Sequence, residues 1–185
     1  GDRGFARGTG DTATTGRFER AAPQATSSLG QMIQPGADHT PTGSLCWVTD
    51  GRAGSSAGSY DVDGGFTDLL SPVIDLSHFG FAELRFWRWY GESVGDDAFE
   101  FAVSDDGGQR WTTLLADTDP TQAWVQERIE LPLPLTDRMR FRFRGQDLNP
   151  SLVEVAIDDL QILGAGPDAS LTLWSSGALG SLLRL

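Results

Sequence analysis

Wherever apolar and polar residues follow a period along this chain, the period is two. Residues 138–144 (RMRFRFR) alternate strictly: Met139, Phe141 and Phe143 face one way, and Arg138, Arg140, Arg142 and Arg144 the other. Residues 97–104 (DAFEFAVS) put Phe99, Phe101 and Val103 on one face. The same reading predicts strands in 17–20, 44–49, 66–76, 82–90, 110–115, 123–131 and 152–163. Pro72 cannot donate to a ladder, so it marks an edge strand or a bulge. The Asp-Gly pair in SDDGGQRW reads as a tight hairpin turn. Residues 1–16 have no period and read as an opening loop, and residues 21–43 as a long loop. Loops of that length usually carry function or wrap the surface. No stretch reads as an amphipathic helix. The pattern therefore predicts an all-β fold of two packed antiparallel sheets, a β-sandwich.

The length of 185 residues suits one domain, with 39% hydrophobic and 22% charged residues and with 23 glycines and 9 prolines for turns. The expected division is a β-sandwich over 1–165, then a linker and the start of a following module or a tail over 166–185. The chain opens GDRG without an initiator methionine and reads as a piece of something longer. No apolar run approaches a membrane span, and no signal peptide is seen. The formal net charge of −12 argues against nucleic acid and anionic membranes, because few cations are available to displace counterions from phosphate. All 14 basic residues are arginine. The outward arginines of 138–144 need counter-charges, and Glu100, Glu127 and Glu130 are the candidates on neighbouring strands. Cys46 has no partner for an internal disulfide and reads as a buried apolar residue.

Catalysis has little to stand on. His39 and His78 lie in no metal-binding spacing, and no nucleophile elbow, phosphate loop or dinucleotide motif is present. The expected domain is not an enzyme. Aspartate supplies 19 of the 26 acidic residues, which suits turns and hard-metal sites. Asp61 and Asp63 in DVDGG are spaced to converge in a glycine turn. Asp158 and Asp159 sit on the last strand, where neighbours point to opposite faces, so one of them should face away from Val153, Val155 and Ile157. Calcium is the metal these oxygens suit; a solvated surface is the alternative. Trp87 and Trp89 share a face opposite Leu84 and Phe86. They form either a sugar-stacking platform or a pair buried under the loop 21–43.

The ordered phrases FER, DHTPTG, DVDGGFTDLLSPVIDLS, LRFWRWY, VSDDGGQRW, RFRGQD and VEVAIDDLQI together resemble a bacterial extracellular β-sandwich module. It is similar to MAM-like and galactose-binding-like jelly rolls, over about residues 9–163. Thr67 to Ser77 and Val103 to Trp111 carry the most specific phrases. Such modules sit beside catalytic domains of secreted peptidases, including zinc carboxypeptidases and immune-inhibitor-A-like enzymes. The resemblance implies a jelly roll, a secreted or cell-surface location, and a structural calcium with Glu19 and Asp158 as ligands. Asp61, Asp63 and Asp159 would complete that site or form another. Paired cysteines of animal MAM modules are missing here, and a metal staple would replace them. The expected function is a calcium-stabilised accessory or adhesion domain beside the catalytic domain of its parent chain, which would be a protease. The alternative is a carbohydrate-binding module using Trp87 and Trp89, with a glycan or a protein surface as ligand.

Overall fold

The computed structural model describes residues 2–93 and 97–166 and the backbone of 171–175. The strands are β1 (Ala6–Arg7), β2 (Phe18–Ala21), β3 (Thr26–Ser28), β4 (Gln31–Gln34), β5 (Cys46–Thr49), β6 (Gly65–Leu70), β7 (Phe81–Glu92), β8 (Ala98–Ser104), β9 (Thr112–Asp117), β10 (Val125–Glu130), β11 (Arg140–Asp147), β12 (Val153–Ala165) and β13 (Leu171–Ser175). One sheet has the order β1-β6-β11-β8-β9, and the other β10-β7-β12-β5-β2 with β13 beside the far end of β12. All pairings between these strands are antiparallel. The chain crosses repeatedly from one sheet to the other between β5 and β12, giving a β-sandwich of jelly-roll type. A single 3-10 turn, Ala57–Ser59, is the helical content among the described residues. None of their helices is long and apolar enough to cross a membrane.

The period-two faces meet between the sheets. Phe99, Phe101, Phe141 and Phe143 from one sheet and Leu84, Phe86, Val153 and Val155 from the other are all fully buried in one cluster. Phe86 sits edge-on to Phe143 at 5.0 Å, the geometry that the aromatic quadrupole favours. Gly145 lies opposite Val155, where an added Cβ would come within 3.0 Å of its side chain, so a small residue is needed for close packing of the sheets. Cys46 lies at 1% exposure in a second cluster with Val48, Trp89 and Ala156 on the outer face. Burial pushes its thiol far up, as for an inert apolar residue.

Several local expectations change. The segment 21–43 is not all loop: β3 and β4 form a hairpin on the outer face of β7 and β12. Its two-residue turn, Leu29–Gly30, has both φ values positive, at 51° and 84°. Such a turn prefers Asn-Gly, so a leucine there hides the hairpin from sequence. Gly91 admits the hairpin, since a Cβ there would lie 1.9 Å from the Ile33 carbonyl oxygen. Residues 1–16 contain the short strand β1. β6 ends at Leu70, before Pro72, and runs inside its sheet between β1 and β11, so the proline marks an end and not an edge. The loop after β8 spans residues 105–111, wider than a tight turn, with Asp106 Oδ1 accepting from the amides of Gln109 and Arg110.

Of the three expected counter-charges of the arginine row, Glu100 is found, and the other partners differ. Arg144 makes a forked pair with Asp68 at 2.7 and 2.9 Å, and Arg142 reaches Glu100 at 3.8 Å. Arg140 donates to the Ser71 carbonyl. Glu127 lies in the other sheet and pairs with Arg88, because β10 joins β7 and not β11. Leu171–Ser175 runs antiparallel to the end of β12. The remainder of the expected tail, residues 167–170 and 176–185, lies outside the described residues.

Candidate functional site

The long strand β12 changes register between Asp158 and Gln161. On one side of that bulge β12 pairs with β5, ending at Ile157 opposite Trp47; on the other it pairs with β13 from Gln161. A bulge adds a residue without a ladder partner and re-aims side chains. Asp159 takes φ 49°, the left-handed region that aspartate tolerates better than most. The two aspartates therefore escape strict alternation, and both turn to the same segment. Asp158 Oδ2 accepts the amides of His39 and Thr40 at 3.0 and 3.2 Å. Asp159 Oδ1 accepts the Thr40 hydroxyl at 2.7 Å, and its Oδ2 lies 2.8 Å from His39 Nδ1. One of the pair was expected to face away from Val153, Val155 and Ile157; the bulge turns both away, as a clamp for the chain at 38–40.

That clamp builds one wall of a cavity of about 430 Å³ at the edge of the sandwich. The size is within the ~300–1,000 Å³ usual for small-molecule sites. Part of its lining is core: Leu69, Ile157, Leu160 and Phe5 are all buried. Trp47 and Leu45 contribute apolar surface, and the Trp47 and Phe5 rings meet at 6.5 Å, tilted by 45°. The rim is polar, with Arg3, Arg20, Asp38, Asp158 and Asp159. Arg20 has no ion-pair partner among the described residues. Asp38 Oδ2 is buried and accepts no hydrogen bond within the protein. Burial pushes the Asp158 carboxyl up, and the His39 and Thr40 amides offset part of that rise. The turn closing this wall follows from sequence: Pro41 presets the second position, and the Gly43 amide donates to the Thr40 carbonyl at 2.9 Å. Gly43 also leaves room for Asp38, whose Oδ2 would lie 2.1 Å from an added Cβ.

The tryptophan pair lies elsewhere. Trp89 is 6% exposed, covered by the β3–β4 hairpin, and donates from Nε1 to the Ile33 carbonyl at 2.7 Å. Trp87 is half-buried, and His39 stacks on it with ring centroids 3.8 Å apart and 16° between planes. Trp124 meets both Trp89 and His39 edge-on. The structure thus covers Trp89 fully and one face of Trp87, and neither lines the cavity.

Nor does one point gather the carboxylates proposed for calcium. Glu19 Oε1 accepts the Gly51 amide at 2.9 Å, and Asp158 and Asp159 hold His39 and Thr40. Asp63 Oδ2 accepts the Thr15 hydroxyl at 3.0 Å. Among the described residues, no three His, Cys, Asp or Glu side chains are grouped as a metal site. Asp61 is the exception to this engagement. It is 1% exposed, and neither of its carboxylate oxygens completes a hydrogen bond. Burial, together with the Asp63 charge, pushes its carboxyl up to about 7; nearby amides of Asp61 and Val153 counter this without reaching hydrogen-bond geometry.

Sequence reasoning missed Arg20, Asp38 and Trp47 as site residues. The polar run PGADHTPTG was the available signal, since it supplies Asp38 and the Thr40–Gly43 turn.

Comparison with known proteins bears on the fold. No family model and no curated protein matches the sequence. Among solved structures, the K3 cleaved adhesin domain of Lys-gingipain from Porphyromonas gingivalis W83 matches at TM-score 0.51 and 16% identity, over 86% of this chain and 91% of that one. TmCBM61 in complex with β-1,4-galactotriose matches at TM-score 0.45 and 15% identity, over 68% of this chain and 74% of that one. The CBM22-1 xylan-binding domain of Paenibacillus barcinonensis Xyn10C matches at 0.46 and 12%, over 86% of this chain and 84% of that one. The adhesin likeness supports the jelly-roll assignment.

Proposed function

We propose that this domain is a non-catalytic module that binds a neutral glycan in the cavity beside the β12 bulge. The observation that carries this reading is the cavity itself, whose lining joins an apolar corner of Trp47 and Phe5 to the charged side chains of Arg20 and Asp38. A pyranose needs that combination. Its C–H face packs on an aromatic ring, while each hydroxyl donates to a carboxylate and accepts from a guanidinium. The net charge of −12 disfavours polyanionic glycans. The same proposal places the module in a larger secreted or cell-surface bacterial protein, next to a catalytic domain. The cavity replaces Trp87 and Trp89 as the binding surface, because the hairpin and His39 cover them. A glycan array tests the reading, followed by calorimetry on the hits. Trp47→Ala and Asp38→Asn should each weaken binding at least tenfold, with the fold unchanged by circular dichroism. An array without a single hit, or hits indifferent to both substitutions, would count against it.

The calcium belongs to this proposal at Asp61 and Asp63 alone. An ionised, fully buried carboxylate without a partner is costly, and a hard cation would offset that cost. Two carboxylates leave the rest of the coordination shell to backbone carbonyls and water. Chelator-stripped protein should gain melting temperature on adding calcium, by about 5–10 °C at a hundredfold excess over Kd. Asp61→Asn should remove that gain and, in chelator, melt no lower than the parent. A melting temperature indifferent to calcium would show instead that Asp61 is buried in its neutral form.

A further inference from the structure

We infer that residues 176–185 of this chain dock in the cavity beside the β12 bulge. The sheet topology delivers them there. β12 pairs with β7 along one edge, on both sides of the bulge. β5 and β13 therefore share its other edge. On that edge β5 reaches Ile157, opposite Trp47, and β13 reaches Gln161, opposite Ser175. Between those points lie Asp158, Asp159 and Leu160, and all three line the cavity. β13 runs antiparallel to β12, so its last residue, Ser175, is its nearest to the bulge. The chain thus leaves the sheet aimed at the cavity. From Gln161 to Ile157 is ~13 Å at ~3.3 Å per residue. The run 176–185, which lies outside the described residues, reaches ~33 Å when extended, enough to cross that interval.

The chemistry of the segment matches the lining. Residues 176–185 read SGALGSLLRL: Leu179, Leu182, Leu183 and Leu185, with Arg184 and no acidic residue. The cavity offers apolar surface from Trp47 and Phe5, and from Leu45, which is 40% exposed. Among the described residues its lining carries four aspartates against two arginines. An apolar segment with one positive charge and no negative one complements that surface. Its leucines leave water against Trp47 and Phe5, while an arginine keeps its head at an acidic rim. A second copy of the chain carries the same residues. Attachment through β13, however, holds the chain's own segment at a high effective concentration, so the contact is intramolecular. The docking does not depend on the glycan reading, but a glycan bound as proposed above would have to displace the segment.

The test keeps the chain at full length. A nitroxide is attached at Ser181→Cys in a Cys46→Ala background, and the broadening of nitrogen–proton NMR signals maps what lies near it. The Trp47 indole, Arg20 and residues 157–160 should broaden most. β9 and β10, at the sheet edges away from the cavity, should stay sharp. Leu182→Asp combined with Leu183→Asp should abolish the broadening while the signals of the sandwich core keep their positions. Isotope-labelled chains mixed with spin-labelled ones should not broaden. Uniform weak broadening, broadening centred away from the cavity, broadening that survives both aspartates, or broadening passed between chains would each overturn the inference. No glycan enters these readouts, so they fail or succeed apart from the glycan reading. Where that reading also holds, the doubly substituted chain should bind the best glycan from the array at least threefold more tightly than the parent, because the competent state is no longer masked. Equal affinity there would overturn docking in this cavity.

Discussion

Phe141→Ala is expected to destabilise the domain by ~3–5 kcal/mol, the range for truncating a fully buried phenylalanine. Phe141 is 0% exposed and lies near the start of β11, the central strand of its sheet. It packs on Phe101 at 6.0 Å, and Phe101 in turn touches Phe86 from the opposite sheet. Alanine would leave a cavity in contact with both sheets, and the ladders on either side of β11 prevent collapse onto it. Single domains are stable by only ~5–15 kcal/mol, so this one change consumes a large share. Urea melts give the number. A loss below ~1 kcal/mol would mean that Phe141 does not face the core and that the β11 register is wrong.

The second large effect belongs to Arg88. Its position on β7 alternates with Trp87 and Trp89, so it points inward, where Leu84 and Phe86 also point. It is 4% exposed. Its guanidinium donates to Asp117 on β9 and, at 2.7 Å, to Glu127 on β10, and it lies 5.0 Å from the Phe99 ring. Asp117 belongs to the opposite sheet, so the pair closes one flank of the sandwich. Arg88→Ala strands two carboxylates and removes the link. Loss of one partner of a buried ion pair costs ~3–5 kcal/mol; because both carboxylates keep some exposure, the expected loss is about 3 kcal/mol. Arg88→Lys keeps the charge but not the fork, and should recover only part of it. A double-mutant cycle with Asp117→Asn separates the pair from packing. Coupling near zero would reduce the bridge to an ordinary surface contact.

Sequence legibility followed burial. Strands β7, β8, β11 and β12 were readable because each sends every second residue into one core, as with Phe99, Phe101 and Val103. The hairpin β3–β4 was not, since of its short strands Ile33 is the main apolar residue facing inward, and its turn uses Leu29 where Asn would have signalled it. Arg88 was invisible for the opposite reason: a charged residue occupies an inward position, and only the third dimension supplies Asp117. The clamp at Asp158 and Asp159 broke the alternation rule through a bulge that no residue type announces. The cavity could not be read at all as a unit, because Phe5, Arg20, Asp38, Trp47 and Ile157 meet only through sheet order. What the chain did disclose was the raw material, a polar turn at 38–43 and a tryptophan in a short strand.

The most direct test of the account is a nitrogen–proton NMR titration of the isotope-labelled domain with the best glycan from the array. Binding in the cavity predicts the largest shifts at the Trp47 indole, Arg20, residues 38–45 and residues 157–160, with little change at Trp87, Trp89 and Trp124. Shifts concentrated on those three tryptophans and on the β3–β4 hairpin would contradict it, and would move the site to the outer face of the sheet.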